Sequence, residues 1–269
     1  MVHSSFARYG NLFHHIKNWS AYFTRKLSKG YQSITFTTTG NAIQFLVPSK
    51  ALYLVFKEIF VTDFYDIDKL VGSLPANPVI LDIGANAGYF NMMLFSKIKS
   101  ARVYAYEPIL SNYELFNKNI ALNPSLTNQV HLFNKAVTGT AQEFVELFME
   151  ADSSDNSVIA SVYADFDTQN NRSIKVPAIS LTQIIEDNKL QHIDLIKVDC
   201  EGSEYPILYE TPDEYWKKIE KLTIEVHNLD DQKRNVNALK DFLEHKGYSV
   251  FTEQAHTNCY TLNASRKVS

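Results

Sequence analysis

What the chain lacks narrows the field first. It holds two cysteines, Cys200 and Cys259, with no metal-type or redox-type spacing between them. A disulfide scaffold is therefore excluded as the source of stability, and a reducing, cytoplasmic setting is the expectation. No apolar run is long enough to span a bilayer. The first residues carry no continuous apolar core followed by a small-residue cleavage site, so no secretory leader is expected. Internal repeats and low-complexity tracts are absent. Acids are missing from the leading segment, where the first is Glu58. Arg8, Lys17, Arg25, Lys26, Lys29, Lys50 and Lys57 precede it for a charge of +7, while the remainder carries 19 basic and 30 acidic residues, or −11. What is present suits a folded body: 269 residues at 45% apolar can bury a sizeable core without staples.

Periodicity organises that body. Phe6, Leu12, Phe13, Ile16, Trp19, Phe23 and Leu27 recur near helical spacing, which predicts one amphipathic helix over residues 5–29 with a basic polar side. Such a helix caps the core or pairs with a second copy in a homo-oligomer. The alternatives are peripheral contact with a membrane surface or an anionic carrier, and, third, a transit peptide. "SITFTTTGNAIQFLV" alternates through a Gly-Asn turn and reads as a β-hairpin. Residues 1–75 are thus a helix, hairpin and lead-in segment. From residue 76 to 269 strand and helix signals alternate. Strands are expected at 79–83, 102–106, 130–137, 144–149, 193–198 and 222–226, with a closing hairpin at 248–252 and 258–262. Helices are expected at 88–97, 111–122, 180–188 and 230–246. This alternation predicts an α/β fold with a mostly parallel sheet and helices on both faces.

"VILDIGANAGYF" ends the first of these strands in Asp82 and enters a loop holding Gly84, Asn86 and Gly88. In a doubly wound sheet, ligands sit outside the carboxyl ends of the strands. The loop departs from the dinucleotide pattern G-x-G-x-x-G, because Asn86 and Tyr89 occupy its second and third glycine positions. A smaller zwitterion fits better: the Asp82 region would accept an ammonium group, and the amides of residues 84–88 would meet a carboxylate. "ARVYAYEP" ends the next strand in Glu107, placed to accept two ribose hydroxyls. An amino-acid end plus a ribose describes S-adenosylmethionine. Backbone groups near Ala136, at the end of the third strand, would flank its adenine.

"DIGANAGYF", "AYEP", "NKAV", "SLTQII…IDLIKVDCEGSE" and "IEVH" resemble the FkbM family of S-adenosylmethionine-dependent methyltransferases, from about Tyr65 onward. The resemblance implies a Rossmann-like class I fold with a seven-stranded sheet, and O-methylation of a sugar, glycan or natural-product hydroxyl. It also implies an aromatic cover for the cofactor at Tyr65. Core packing is the alternative for that residue.

A second cluster of titratable groups marks two more strand ends. "IKVDCEGSE" supplies Asp199 and Glu204, and "IEVH" supplies Glu225 and His227, which alternation puts on one face. If the strands adjoin, the four converge beside the sulfonium. His227 is expected as the base that takes the acceptor's proton or as the group that orients the acceptor, Glu225 as fixing the imidazole or binding a sugar hydroxyl, and Asp199 as orienting the acceptor or touching the methionine ammonium. A divalent ion on Asp199, Glu204, Glu225 and His227 is the less favoured reading, since the spacing is no recognised metal motif. The acidic surroundings point to a small-molecule or glycan acceptor rather than nucleic acid. A methyltransferase acting on RNA or protein, and a non-catalytic S-adenosylmethionine-binding protein, are the alternatives. "DSSDNS" (152–157) is expected as a loop over the acceptor.

Overall fold

The computed structural model describes residues 5–27, 32–150, 160–163 and 170–267. Two helices, α1 (Ser5–His15) and α2 (Ser20–Leu27), stand where one was expected. The hairpin β1 (Ile34–Thr37) and β2 (Gln44–Val47) breaks the run, because it takes the backbone groups a continuous helix would need. Lys17 N–H donates to Thr37 O, and Thr39 N–H donates to His15 O. The Asn18 side chain accepts from Thr37 N–H and donates to Thr35 O. Leu12 and Ile16 are fully buried, so this region caps the core.

α3 (Lys50–Phe56) starts at Ser49, whose hydroxyl accepts from Leu52 N–H. It runs directly into a π-helix, Lys57–Thr62, which ends at Asp63 in the left-handed region. α4 (Ile67–Gly72) follows. The main body then alternates β3 (Val79–Ile83), α5 (Tyr89–Lys97), β4 (Arg102–Tyr106), α6 (Leu110–Ala121) and β5 (Val130–Phe133). Next come β6 (Ala136–Thr138), β7 (Phe144–Glu150), β8 (Asn170–Ser180), α7 (Leu181–Asp187) and β9 (Leu195–Val198). α8 (Glu204–Tyr209), α9 (Asp213–Trp216), β10 (Lys221–His227), α10 (Val236–His245), β11 (Tyr248–His256) and β12 (Cys259–Arg266) complete the chain.

Seven strands form one sheet in the order β11-β12-β10-β9-β3-β4-β5. β10, β9, β3, β4 and β5 pair in parallel, and β12 runs antiparallel between β10 and β11. Strand alternation divides the core. Ile80, Val103 and Leu195 point to the side carrying α5, α6, the hairpin and α1. Leu81, Ile83, Ile196 and Ile224 point to the side carrying α7 to α10. Leu12, Phe36, Phe45, Phe56 and Phe60 of the leading segment therefore share a core with the sheet.

Three expectations are corrected. The strand over 130–137 is two strands in different sheets, since Asn134 leaves the ladder and its side chain donates to Glu107 O and Pro108 O. β8 was not expected; it pairs with β6 and β7 in a small sheet. The helix expected from residue 230 begins at Val236, because Asp230 Oδ1 accepts from Gln232, Lys233 and Arg234 N–H and holds a turn there. Residues 152–157 lie outside the described residues.

Candidate active site

A cavity of about 1020 Å³, including its open mouth, lies beyond the carboxyl ends of β3, β4, β9 and β10. Gly84, Asn86, Glu107, Ala136, Tyr65, Asp199 and Glu225 line it. Asp82, Gly88, Glu204 and His227 are not among its lining residues.

At one end the loop after β3 is pinned by backbone groups. Gly84 and Ala85 N–H both donate to Tyr106 O, so the loop leans over β4. Asn86 N–H donates to Glu107 Oε2 (2.7 Å), and Ile109 N–H donates to Glu107 Oε1 (2.9 Å). The Asn112 side chain is a third donor to this carboxylate, which leaves room for one further hydrogen bond from a ligand hydroxyl. Glu107 is 4% exposed. Burial pushes its carboxyl up to about 7 against the pull of those two N–H groups. Ile109, Ala136, Val137 and Leu147 make the adjoining wall apolar, as a purine requires.

Packing by itself requires glycine at both loop positions, although Gly84 also lines the cavity. A Cβ at Gly84 (φ +76°) would collide with the Asp199 carbonyl, and one at Gly88 (φ +79°) with the Phe116 ring. Gly88 is thus the helix-entry residue that lets α6 close on α5. Asp82 is corrected in the same way. It is fully buried, with Asn91 Nδ2 donating to one oxygen and Lys197 Nζ 3.2 Å from the other. Parallel register sets Asp82 beside Lys197. No ligand ammonium reaches it.

Lys197 was missed, because a lysine inside an apolar strand reads as an interruption. It is 2% exposed, donates to Gly84 O (2.7 Å) and lies 3.3 Å from Asp199 Oδ2. Burial works against its charge, but Asp199 and Asp82 hold its pKa above the ordinary lysine range. It therefore ties the glycine loop to the other end of the cavity. Tyr65 joins that end too: its hydroxyl donates to Asp199 Oδ2 (3.0 Å), and its ring packs edge-on against Phe90.

The far end is acidic. Glu58, Asp199, Glu201 and Glu225 line it. Glu58 is delivered by the π-helix, whose wider turn has Asp63 N–H donating to Glu58 O. Burial and the Asp199 charge raise its carboxyl to about 7, with Lys197 and His227 pulling the other way. Burial and Asp199 likewise raise Glu201, to about 8 against His227, and raise Glu225 well above the carboxylate range.

His227 and Glu204 stand behind this wall. Glu204 is fully buried and spends its oxygens on Gly202 N–H (2.7 Å) and His227 N–H (3.0 Å), fixing the turn after β9 to the end of β10. Burial works against a charged imidazole at His227. Hydrogen bonds to Cys259 and Glu204 and the charge of Glu201 nevertheless carry it up to about 11. These neighbours favour the protonated form of the ring, which counts against His227 as the base. Asp199, Glu204, Glu225 and His227 also fail to converge on one ion, because Asp199 turns to Lys197 and Tyr65. Glu58 was missed because nothing local distinguishes it within the lead-in helix.

A parallel sheet in this order, with a glycine loop after one strand and an acid after the next, defines a Rossmann-like class I methyltransferase. The methyltransferase FkbM domain model matches residues 82–250, and the chain belongs to that family. It is 28% identical over 229 residues to methyltransferase sdnD of Sordaria araneosa, covering 75% of this chain and 83% of that protein. Methyltransferase 1 of Beauveria bassiana is 27% identical over 217 residues, covering 74% and 82%. Among solved structures, the precorrin-6y C5,15-methyltransferase of Geobacter metallireducens is a distant likeness. Its TM-score is 0.44 at 13% identity, over 74% of this chain and 87% of that one. Among the described residues no helix is long and apolar enough to cross a membrane.

Proposed function

We propose that the protein transfers the methyl group of S-adenosylmethionine to a hydroxyl of a small-molecule or glycan acceptor. The observation that carries this reading is the asymmetry of one continuous cavity. It joins a buried carboxylate and an apolar slot at one end to four acids at the other. Bound S-adenosylmethionine supplies a methyl group on a sulfonium, open to in-line attack. The residues divide the remaining work. Glu107 grips a ribose hydroxyl, and the slot at Ile109, Ala136, Val137 and Leu147 takes the adenine. The buried Lys197 ammonium sets the height of the loop and lends positive charge toward a carboxylate.

Glu58 is the proton acceptor. A carboxyl titrating near neutrality is half ionised at working pH, where general-base catalysis is most effective. Asp199, held by Tyr65 and Lys197, orients the acceptor hydroxyl. Among the described lining residues Lys197 is the one lysine or arginine, and it is held by Asp82 and Asp199, so a phosphate backbone finds no cationic track, which counts against RNA as acceptor. Calorimetry with S-adenosylmethionine and its demethylated product tests the cofactor half. A labelled-methyl screen across sugar and natural-product hydroxyls tests the acceptor half. No heat with either ligand would overturn the reading. Heat without methyl transfer to any acceptor would favour a non-catalytic binding protein.

A further inference from the structure

We infer that Glu225, His227 and Cys259 form a binding site for a divalent ion of the zinc class, with Glu201 as the fourth donor in reach. The inference is independent of the cofactor and acceptor assigned above. Sheet geometry makes the cluster. β10 and β12 pair antiparallel with His227 directly opposite Cys259, which puts both side chains on one face. Glu225, two residues before His227, shares that face. The donor atoms of the three lie within 4.8 Å of one another.

The individual separations suit one small ion. Glu225 Oε1 is 3.1 Å from Cys259 Sγ and 3.6 Å from His227 Nε2, and Glu201 Oε2 is 3.3 Å from the same nitrogen. Zinc bonds of roughly 2.0 Å to nitrogen and oxygen and 2.3 Å to sulfur give tetrahedral edges of about 3.3–3.6 Å. The donor types agree as well. A thiol, an imidazole and a carboxylate suit zinc or cobalt, whereas magnesium and calcium prefer oxygen alone.

The surroundings complete the case. His227 Nδ1 faces the fully buried Glu204, with Oε1 at 3.7 Å, so a carboxylate stands on the side of the ring where metal-bound histidines have one. Cys259 is buried, while Glu225 and Glu201 reach the cavity, which gives an ion its way in. The site lies on the acceptor side, away from Glu107.

The test uses tag-free, full-length protein stripped with a chelator. Titration with zinc chloride, read by mass spectrometry after desalting, is expected to give one ion per chain. Titration with cobalt chloride is expected to give a near-ultraviolet thiolate-to-cobalt charge-transfer band. Cys259→Ser should abolish that band, and Glu204→Gln should lower zinc affinity by about 10–100-fold while keeping it. Wild-type protein that retains no zinc and shows no such band would overturn the inference without any variant. So would a band that survives in Cys259→Ser, since it would come from Cys200.

Discussion

The two ends of the cavity are made by different means. At the Glu107 end, backbone N–H groups from one loop and one strand end set the geometry, and a single carboxylate carries the charge. At the Glu58 end, side chains from the π-helix, the turn after β9 and the end of β10 crowd four acids together, balanced by Lys197 and His227. The first end is a rigid socket that suits one invariant ligand. The second is an electrostatic arrangement whose shape and charge depend on distant segments, as an acceptor-specific wall would.

Lys197 is where the two ends meet, and the largest effect is expected at that junction. Gly84→Ala places a Cβ against the Asp199 carbonyl in a left-handed backbone. It should cost about 3 kcal/mol or more and abolish binding and turnover together. Chemical denaturation measures the first, and calorimetry the second. Retention of near-wild-type stability would show that the ends are not coupled there.

The ends should separate in the next two variants. Glu58→Gln is expected to lower kcat by about 100-fold with S-adenosylmethionine affinity unchanged, because a general base acts only on the acceptor. Glu107→Ala is expected to weaken S-adenosylmethionine binding by about 10–100-fold, from the loss of hydrogen bonds to a charged group. Its kcat at saturating cofactor should stay near that of wild type. Equal losses of binding and turnover in both variants would dissolve the distinction.

Titration sharpens the comparison further. Glu58 and Glu107 both have folded-state values near 7, against an ordinary value near 4.5. Each binds its proton more tightly folded than unfolded, so stability falls as pH rises from about 4.5 through about 7. Function moves the opposite way, since both groups work ionised. Cofactor affinity should rise through pH 7 in wild type and lose that dependence in Glu107→Gln. The acidic limb of kcat/KM should vanish in Glu58→Gln. The smallest effect is expected for Tyr65→Phe, which removes one hydrogen bond to Asp199, worth about 1 kcal/mol, and lowers turnover only several-fold.

The same contrast decides what could be read from the residues alone. Val79–Ile83, the glycine loop and Glu107 lie within a single strand-loop-helix-strand unit, so local pattern fixes both elements and site. Asp82 and Gly88 were placed in the site because they belong to that unit, and only packing shows that Lys197 and Phe116 claim them. Glu58 stands about half the chain from Asp199, and Cys259 lies 34 residues from Glu225, and no local spacing announces a π-turn or an antiparallel register. His227 was recognisable as part of the cluster. Its charge was not, because that depends on Cys259, Glu204 and Glu201 around it.

Calorimetry of S-adenosylmethionine into wild-type, Glu107→Ala and Glu58→Gln proteins, side by side, addresses the socket most directly. The account predicts one site with a Kd on the order of micromolar in wild type and in Glu58→Gln, weakened by about 10–100-fold in Glu107→Ala. Binding that ignores Glu107, or that collapses on loss of Glu58, would contradict it.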